Sequence, residues 1–183
     1  MQDSIGGDRL LLGMSGWPHP EWEGGYFPED LPDDWQFAFY SNDASCLLLR
    51  AREWEHLQGG LVEEWLEEVP GHFRFHLELP PGAAVESSLP PLGHHLGALL
   101  VDRFRDLASD IPQLCAGPQG YWVDPAGVPR LVRWNEPGFD LRRLRERLQG
   151  MPDSVRAVIL EGEGLNPGHL SELRTLAELL GVA

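Results

Sequence analysis

The sequence Gly13-Met-Ser-Gly-Trp-Pro-His-Pro-Glu-Trp-Glu-Gly-Gly-Tyr-Phe-Pro28 follows a short apolar run and is the most distinctive stretch of the chain. It contains two Trp, a Tyr, a Phe, three Pro and four Gly. Residues 9–14 have the apolar pattern of a first β-strand, and the glycines that follow allow the chain to turn sharply out of it. The composition therefore predicts a strand that ends in a long aromatic loop.

The whole chain has 183 residues, 42% of them hydrophobic, and a formal net charge of −15. Because this length supports one hydrophobic core, we expect a single domain over residues 1–183. An acidic surface repels phosphate backbones, and the one dense arginine run, at residues 142–147, is expected to form a solvated helix face. Nucleic acid is therefore not an expected partner.

The sequence has no feature of a secreted or membrane protein. No apolar run approaches the roughly 20 residues that span a bilayer, and residues 1–9 lack an apolar signal core. Cys46 and Cys115 share no motif, which is typical of reduced thiols. We therefore expect a cytoplasmic protein that binds no membrane. Its protein partners are left open.

Several kinds of chemistry lack the residues they need. All fourteen basic residues are arginine, so Schiff-base and lysine general-base mechanisms are excluded. His72 and His76 lie on one predicted strand and His94 and His95 are adjacent, but none has the spacing of a common zinc motif. Neither a dinucleotide-binding glycine pattern nor a P-loop occurs. The sequence thus predicts no metal and no cofactor.

Strand and helix patterns alternate along the chain. Strands are predicted at residues 45–51, 72–79, 96–102 and 155–161, and helices at residues 35–40, 61–69, 140–150 and 169–180. A short helix is expected after residue 102, before Pro112. This order predicts an α/β fold with a mainly parallel sheet.

One hairpin interrupts the alternation. Two strand-like segments, residues 121–123 and 128–135, flank Asp124-Pro-Ala-Gly127. Proline in the second position and glycine in the fourth suit a type I turn. These two segments are therefore predicted to pair as antiparallel strands.

The opening segment resembles the signature of the YecE-like family, domain of unknown function 72. That signature is approximately Gly-Thr-Ser-Gly-Trp, a later Trp, and Phe-Tyr-Pro, and it aligns without a gap with Gly13–Trp17, Trp22 and Gly25–Pro28. Weaker similarities lie at residues 73–80, 92–100, 131–133 and 177–180. The resemblance implies a TIM-barrel-like fold and a family without an established activity.

The chain departs from the family pattern in length. Between residues 102 and 128 it is too short for two full strand–helix units, and the hairpin is expected to take their place. We therefore predict a shortened or irregular TIM-barrel-like barrel with one β-hairpin in its second half.

Inward polar positions of the family also differ here. The resemblance aligns Leu48 and Arg50 with positions where the family usually has a glutamate and an asparagine. The family's arginine is retained as Arg133. Glu78, Asp102 and Asn135 stand where the family has a lysine, a glutamine and a histidine. These changes favour a degenerate member with a binding or accessory role.

Active sites of parallel barrels lie at the carboxyl ends of the strands. Five charged residues come late on predicted strands and are expected to ring one mouth: Arg50, Glu78, Asp102, Arg133 and Glu161. We expect Arg50 and Glu78 to form an ion pair. The candidate ligand-binding residues are Ser15, Trp17, Trp22, Arg50 and Arg133, and the expected ligand is small and polar.

Two interpretations of these charges stay open. Buried charges need partners simply to be tolerated, so the five groups would neutralise one another without chemistry. Alternatively, the carboxylates of Glu78, Asp102 and Glu161 would act as acid and base in a hydrolase with a sugar-like substrate. In that case Trp17, Trp22 and Trp134 would stack on sugar rings.

Ser15 occupies a Gly-x-Ser-Gly context after a strand, as a hydrolase nucleophile does. However, the second glycine of a nucleophile elbow and its helix are absent. We therefore expect the Ser15 hydroxyl to hydrogen-bond backbone or to help hold a small anion at the mouth.

Overall fold

A computed structural model describes residues 9–55, 57, 59–82, 89–107 and 110–182, which form a closed eight-stranded barrel in chain order. The strands are β1 (Leu11–Ser15), β2 (Cys46–Leu49), β3 (Arg74–Glu78), β4 (Leu96–Val101), β5 (Gln113–Ala116), β6 (Tyr121–Val123), β7 (Pro129–Asn135) and β8 (Ala157–Glu161). The helices are α1 (Gln36–Asp43), α2 (Ala51–Trp54), α3 (Gly59–Glu68), α4 (Leu141–Gln149) and α5 (Gly168–Leu180). Single 3₁₀ turns lie at Pro20–Trp22, Asp33–Trp35, Gly93–His95 and Pro118–Gly120.

The barrel is parallel except around β6, which pairs antiparallel with both β5 and β7. The predicted hairpin is therefore confirmed. Its turn is held by Asp124, whose backbone carbonyl accepts from the Gly127 N–H at 2.8 Å and whose carboxylate accepts from the Val128 N–H at 3.0 Å. Two antiparallel pairings replace strand–helix units, which shortens the barrel without opening it.

The predicted short helix before Pro112 is wrong, because residues 103–107 and 110–112 are not helical. Instead, the side chain of Gln113 bonds backbone groups of this connection. Gln113 is the first residue of β5, a strand that the sequence did not predict. Its Oε1 accepts from the Arg105 backbone N–H at 2.9 Å, and its Nε2 donates to the Arg105 carbonyl at 2.8 Å. A side-chain amide thus supplies bonds that a helical turn would have made internally.

Apolar side chains form two cores, one on each face of the barrel wall. The inner core consists of Cys46, Leu48, Ala98, Leu100, Leu114, Leu131, Ala157 and Ile159. Alternate residues of the same strands face outward and bury the apolar sides of the helices. Each such side chain contributes about 1.5–3 kcal/mol on leaving water.

The aromatic loop after β1 joins the outer core. The ring of Trp17 makes edge contacts with five aromatic rings, with centroid separations of 5.1–6.3 Å: Trp22, Phe27, Phe37, Tyr40 and Trp65. These six rings are called the aromatic cluster below. They fasten the loop to α1 and α3, so most of the conspicuous residues of this segment serve packing.

Close approach of β1 to β2 requires a glycine. A Cβ on Gly13 would lie 2.1 Å from the carbonyl oxygen of Cys46, far inside van der Waals contact. The Tyr40 hydroxyl completes this junction, since it donates to the Cys46 carbonyl at 2.8 Å and accepts from the Met14 N–H at 3.0 Å. The first two strands are thereby fixed at the point where the mouth begins.

The arginine run on α4 is not simply a solvated face. Glu136, which follows β7, is 1% exposed, and its two carboxylate oxygens lie 2.9 Å from Arg143 Nε and 2.6 Å from Arg147 Nε. Arg147 also lies 5.7 Å from the ring centre of Trp134. Residues 142, 143 and 145 are exposed, as predicted, whereas Arg147 is partly buried because the buried carboxylate of Glu136 requires partners.

No helix among the described residues has both the length and the apolar character needed to cross a membrane.

Candidate functional site

A polar cavity of about 470 Å³, here called the mouth, lies at the carboxyl ends of β1, β2, β7 and β8. Its lining consists of Met14, Ser15, Pro18, His19, Glu21, Trp22, Arg50, Glu53, Asn135, Leu160, Glu161, Gly162 and Leu165. Three of the predicted site residues, Ser15, Trp22 and Arg50, thus face one space, together with the predicted candidate Glu161.

Arg133 joins two of the predicted carboxylates. Its Nε donates to Glu161 Oε1 at 2.8 Å, its Nη2 lies 2.8 Å from the same oxygen, and its Nη1 lies 3.6 Å from Glu78 Oε1. All three side chains are partly buried. The alternation of side chains along a strand directs all three into the barrel, as predicted from the sequence.

The expected ion pair between Arg50 and Glu78 is wrong. Glu78 pairs with Arg133 instead, and Arg50 forms no ion pair within the described part of the chain. In a barrel the chain returns on itself, so β7 can reach across to β3. A register argument that considers only neighbouring strands misses such a contact.

Asp102 does not join the charges around Arg133. Its Oδ1 lies 3.0 Å from Nη2 of Arg105, three residues later on the connection to β5. The hydrogen bond from Arg105 lowers the pKa of the Asp102 carboxyl. Of the five predicted mouth charges, the ion pairs thus connect three.

Arg50 begins the first turn after β2. Its backbone N–H donates to Glu53 Oε2 at 2.7 Å, which fixes Glu53 beside it. Arg50 lines the mouth and forms no ion pair with a described residue, although its charge contributes, after the His19 hydrogen bond, to lowering the pKa of Glu21. A guanidinium has five N–H donors in a planar fork, which suits oxygen atoms of a ligand.

Ser15 ends β1 and is 4% exposed. Its hydroxyl has no hydrogen-bond partner within the described residues, so the expected bond to backbone is wrong. The cost of leaving a buried hydroxyl unpaired is about 1–3 kcal/mol. This oxygen lies where the floor of the mouth meets the barrel interior.

The tryptophans differ in their positions. Trp22 lines the mouth, donates its indole N–H to the Leu165 carbonyl at 3.0 Å, and stacks on the His19 ring at 3.9 Å. Trp17 belongs to the aromatic cluster and does not appear among the described residues that line the mouth. Trp134 is buried on the outer face, so the prediction that it stacks on sugars is wrong.

Four polar side chains of the mouth were not among the predicted site residues: His19, Glu21, Glu53 and Asn135. His19 Nδ1 lies 2.7 Å from Glu21 Oε1, and this hydrogen bond lowers the pKa of Glu21. Glu53 follows residue 50 by three positions, which is the spacing of a capping box and could have been noticed. The aromatic loop gave no comparable signal for His19 and Glu21.

Among the described residues there is no group of three or more His, Cys, Asp or Glu side chains placed to hold a metal ion.

Comparison with known proteins agrees with this architecture. A family model described as a protein of unknown function, DUF72, matches residues 11–159. The fold is similar to the crystal structure of a DUF72 family protein from Enterococcus faecalis V583, with a TM-score of 0.53 and 12% identity, over 96% of this chain and 98% of that chain. At this identity the likeness concerns the fold alone. No curated protein matches the chain.

Proposed function

The chain belongs to the DUF72 family, and from the geometry of its barrel mouth we propose that it binds a small hydroxylated, sugar-like ligand there. The observation that carries this proposal is the buried hydroxyl of Ser15, which has no partner among the described residues and belongs to a residue that lines a polar cavity. A hydroxyl group of a ligand would satisfy it. The guanidinium of Arg50, which forms no ion pair with a described residue, offers the ligand further N–H donors.

Carboxylates complete a surface that suits hydroxyl groups. Glu21, Glu53 and Glu161 line the mouth, and each can accept hydrogen bonds from a polyol. Trp22 adds an aromatic side chain to the lining, a common feature of small-molecule sites. Donors and acceptors thus both line a volume of about 470 Å³, which is large enough for one small molecule.

Binding without catalysis is the function that these contacts support best. The carboxylates of Glu78 and Glu161 are both paired with Arg133, and Asp102 is paired with Arg105. A carboxylate paired with a guanidinium has a structural role that requires no chemistry. The family glutamate is also replaced by the apolar Leu48, which supports a degenerate member with a binding or accessory role.

A thermal-shift screen tests the proposal with glucose, galactose, gluconate and inorganic phosphate. A ligand that binds the folded state raises its apparent stability. We expect a shift with at least one of the sugar-like compounds, which Ser15→Ala reduces and Ser154→Ala, outside the mouth lining, leaves unchanged. Absence of any shift with the three sugar-like compounds would contradict the proposal.

Hydrolysis is the alternative function, and one observation favours it. A single guanidinium contacts both Glu78 and Glu161, which holds the two carboxylates within the roughly 9.5 Å that an inverting glycosidase tolerates. Chromogenic glycosides test this alternative. Turnover that is lost in both Glu78→Gln and Glu161→Gln would establish it and replace the binding-only role.

A further inference from the structure

A second cavity, of about 680 Å³, lies at the opposite end of the barrel and is called the N-terminal cavity here. It is bounded by the first residues of β1, β3, β4, β5, β7 and β8 and by the connection from β4 to β5. Apolar side chains form much of its wall: Leu11, Leu96, Leu107, Ile111, Leu114 and Leu131. The family site expected at the carboxyl ends of the strands does not include this end.

His76 lies at the inner end of the N-terminal cavity. It is an inward residue of β3, is 6% exposed, and lines the cavity. Neither ring nitrogen has a hydrogen-bond partner among the described residues. Burial, with a smaller effect of the nearby Arg74 charge, lowers the pKa of His76 to about 4, so the ring is neutral at pH 7 and offers one donor and one acceptor.

The barrel is shaped around this ring. A Cβ on Gly97 of the adjacent β4 would lie 2.7 Å from His76 Cε1 and 2.9 Å from Nδ1. The absence of a side chain at residue 97 therefore provides the space that the imidazole occupies. A buried polar ring without a partner is costly, and such groups call for a ligand or another specific explanation.

Arginines surround the outer part of the N-terminal cavity. The described lining contains four arginines, at residues 74, 105, 130 and 156, and three aspartates, at residues 106, 110 and 124. Arg130 is paired with Asp124 at 2.9 Å, and Arg74 is held by the carbonyl oxygen of Gly71 at 2.8 Å. Arg105 is paired at 3.0 Å with Asp102, which lies outside the lining, so the four arginines are balanced by four aspartates.

We propose that the N-terminal cavity binds a small monocarboxylate with an apolar body. Its carboxylate lies between the ring N–H of His76 and the guanidinium of Arg74, two residues apart on the inward face of β3. The apolar body packs on Leu107 and Ile111. The unpartnered His76 ring and the guanidinium of Arg74 both offer N–H donors to one carboxylate, and the apolar wall excludes strongly hydrated ligands such as polyols. This site is independent of the mouth.

A titration with hexanoate tests the proposal through the ring Cε1–H resonance of His76, which is assigned by its loss in His76→Leu. We expect hexanoate to shift this resonance and to raise the pKa at which it titrates, since a carboxylate favours the protonated ring. Hexanol, which lacks the charge, and acetate, which lacks the apolar body, should bind at least about tenfold more weakly.

Variants separate this site from the mouth. Arg74→Gln should weaken hexanoate binding about tenfold, whereas the mouth variant Arg50→Gln should leave it unchanged. If the His76 resonance does not respond over the soluble range of hexanoate, the proposal is overturned, even when every variant folds. Equal binding of hexanoate by wild type and Arg74→Gln would also overturn it.

Discussion

The guanidinium of Arg133 on β7 donates to the carboxylate of Glu161 on β8 at 2.8 Å, and the same arginine reaches Glu78 across the barrel. One positive charge thus holds two inward carboxylates. This contact explains how charged groups are tolerated at one end of an apolar barrel interior.

Loss of Arg133 should destabilise the barrel. Arg133→Gln leaves Glu78 and Glu161 without a cation, and because all three are partly exposed we expect a loss of about 1–2 kcal/mol in the free energy of unfolding. Urea denaturation at pH 7 measures it. Arg145→Gln on the exposed side of α4 is the control. Equal midpoints for the two variants would show that the Arg133 contacts contribute nothing.

The β1–β2 junction should not tolerate a side chain at residue 13. Gly13→Ala places a methyl group 2.1 Å from the Cys46 carbonyl oxygen, so backbone must move. We expect a loss of more than about 3 kcal/mol or failure to fold. Gly60→Ala, in α3 with open space around it, should be neutral or stabilising. Thermal unfolding compares the two, and a well-folded Gly13→Ala of normal stability would refute the described close approach.

The Tyr40 hydroxyl should contribute to the same junction. Tyr40→Phe leaves the buried Met14 N–H without its partner, and we expect the free energy of unfolding to fall by about 1–3 kcal/mol. The half-buried Tyr121 offers a matched control, since Tyr121→Phe should change stability by less than about 0.5 kcal/mol. Two equally small effects in urea denaturation would contradict the role assigned to this hydroxyl.

His76 should make stability depend on pH. Its pKa is about 4 in the folded chain and 6.5 in an unfolded one, so the unfolded state gains a proton first as pH falls. Wild type should therefore lose up to about 3 kcal/mol between pH 6.5 and 4 through this group, and none of that loss above pH 6.5.

His76→Leu removes this titration and also an unpaired polar ring. We expect the variant to be more stable than wild type at pH 7 and the difference to grow at pH 5. The same substitution at exposed His94 is the control, and urea denaturation at both pH values is the measurement. A difference between His76→Leu and wild type that is independent of pH would contradict the burial of a neutral ring.

Much of the fold could be predicted because local patterns specify it. The hairpin followed from Asp124 and Gly127, and α4 from Asp140, whose carboxylate accepts from the Arg142 N–H at 2.9 Å. The strand at Gln113 could not be predicted, because it is short and its pairing depends on contacts distant in sequence. The helix predicted between residues 102 and 112 does not form, because the backbone there is bonded by the side chain of Gln113, a contact that local sequence does not indicate.

The candidate site was predictable only in part. Strand alternation identified the inward direction of Arg133 and Glu161, but not which charges pair across the barrel. The sequence predicts an ion pair between Arg50 and Glu78, but the Arg50 side chain forms no ion pair with a described residue. Its backbone N–H donates to the carboxylate of Glu53, which was not a predicted site residue. Pairing depends on three-dimensional distance, which one sequence does not contain.

The central claim is that the mouth binds a sugar-like ligand through Arg50 and Ser15. Calorimetric titration of wild type, Arg50→Gln and the neighbouring control Arg52→Gln with glucose, galactose and gluconate in turn tests it most directly. We predict equal affinity for wild type and Arg52→Gln, and binding at least about tenfold weaker for Arg50→Gln. Unchanged affinity in Arg50→Gln, or no heat of binding with wild type, would contradict the claim.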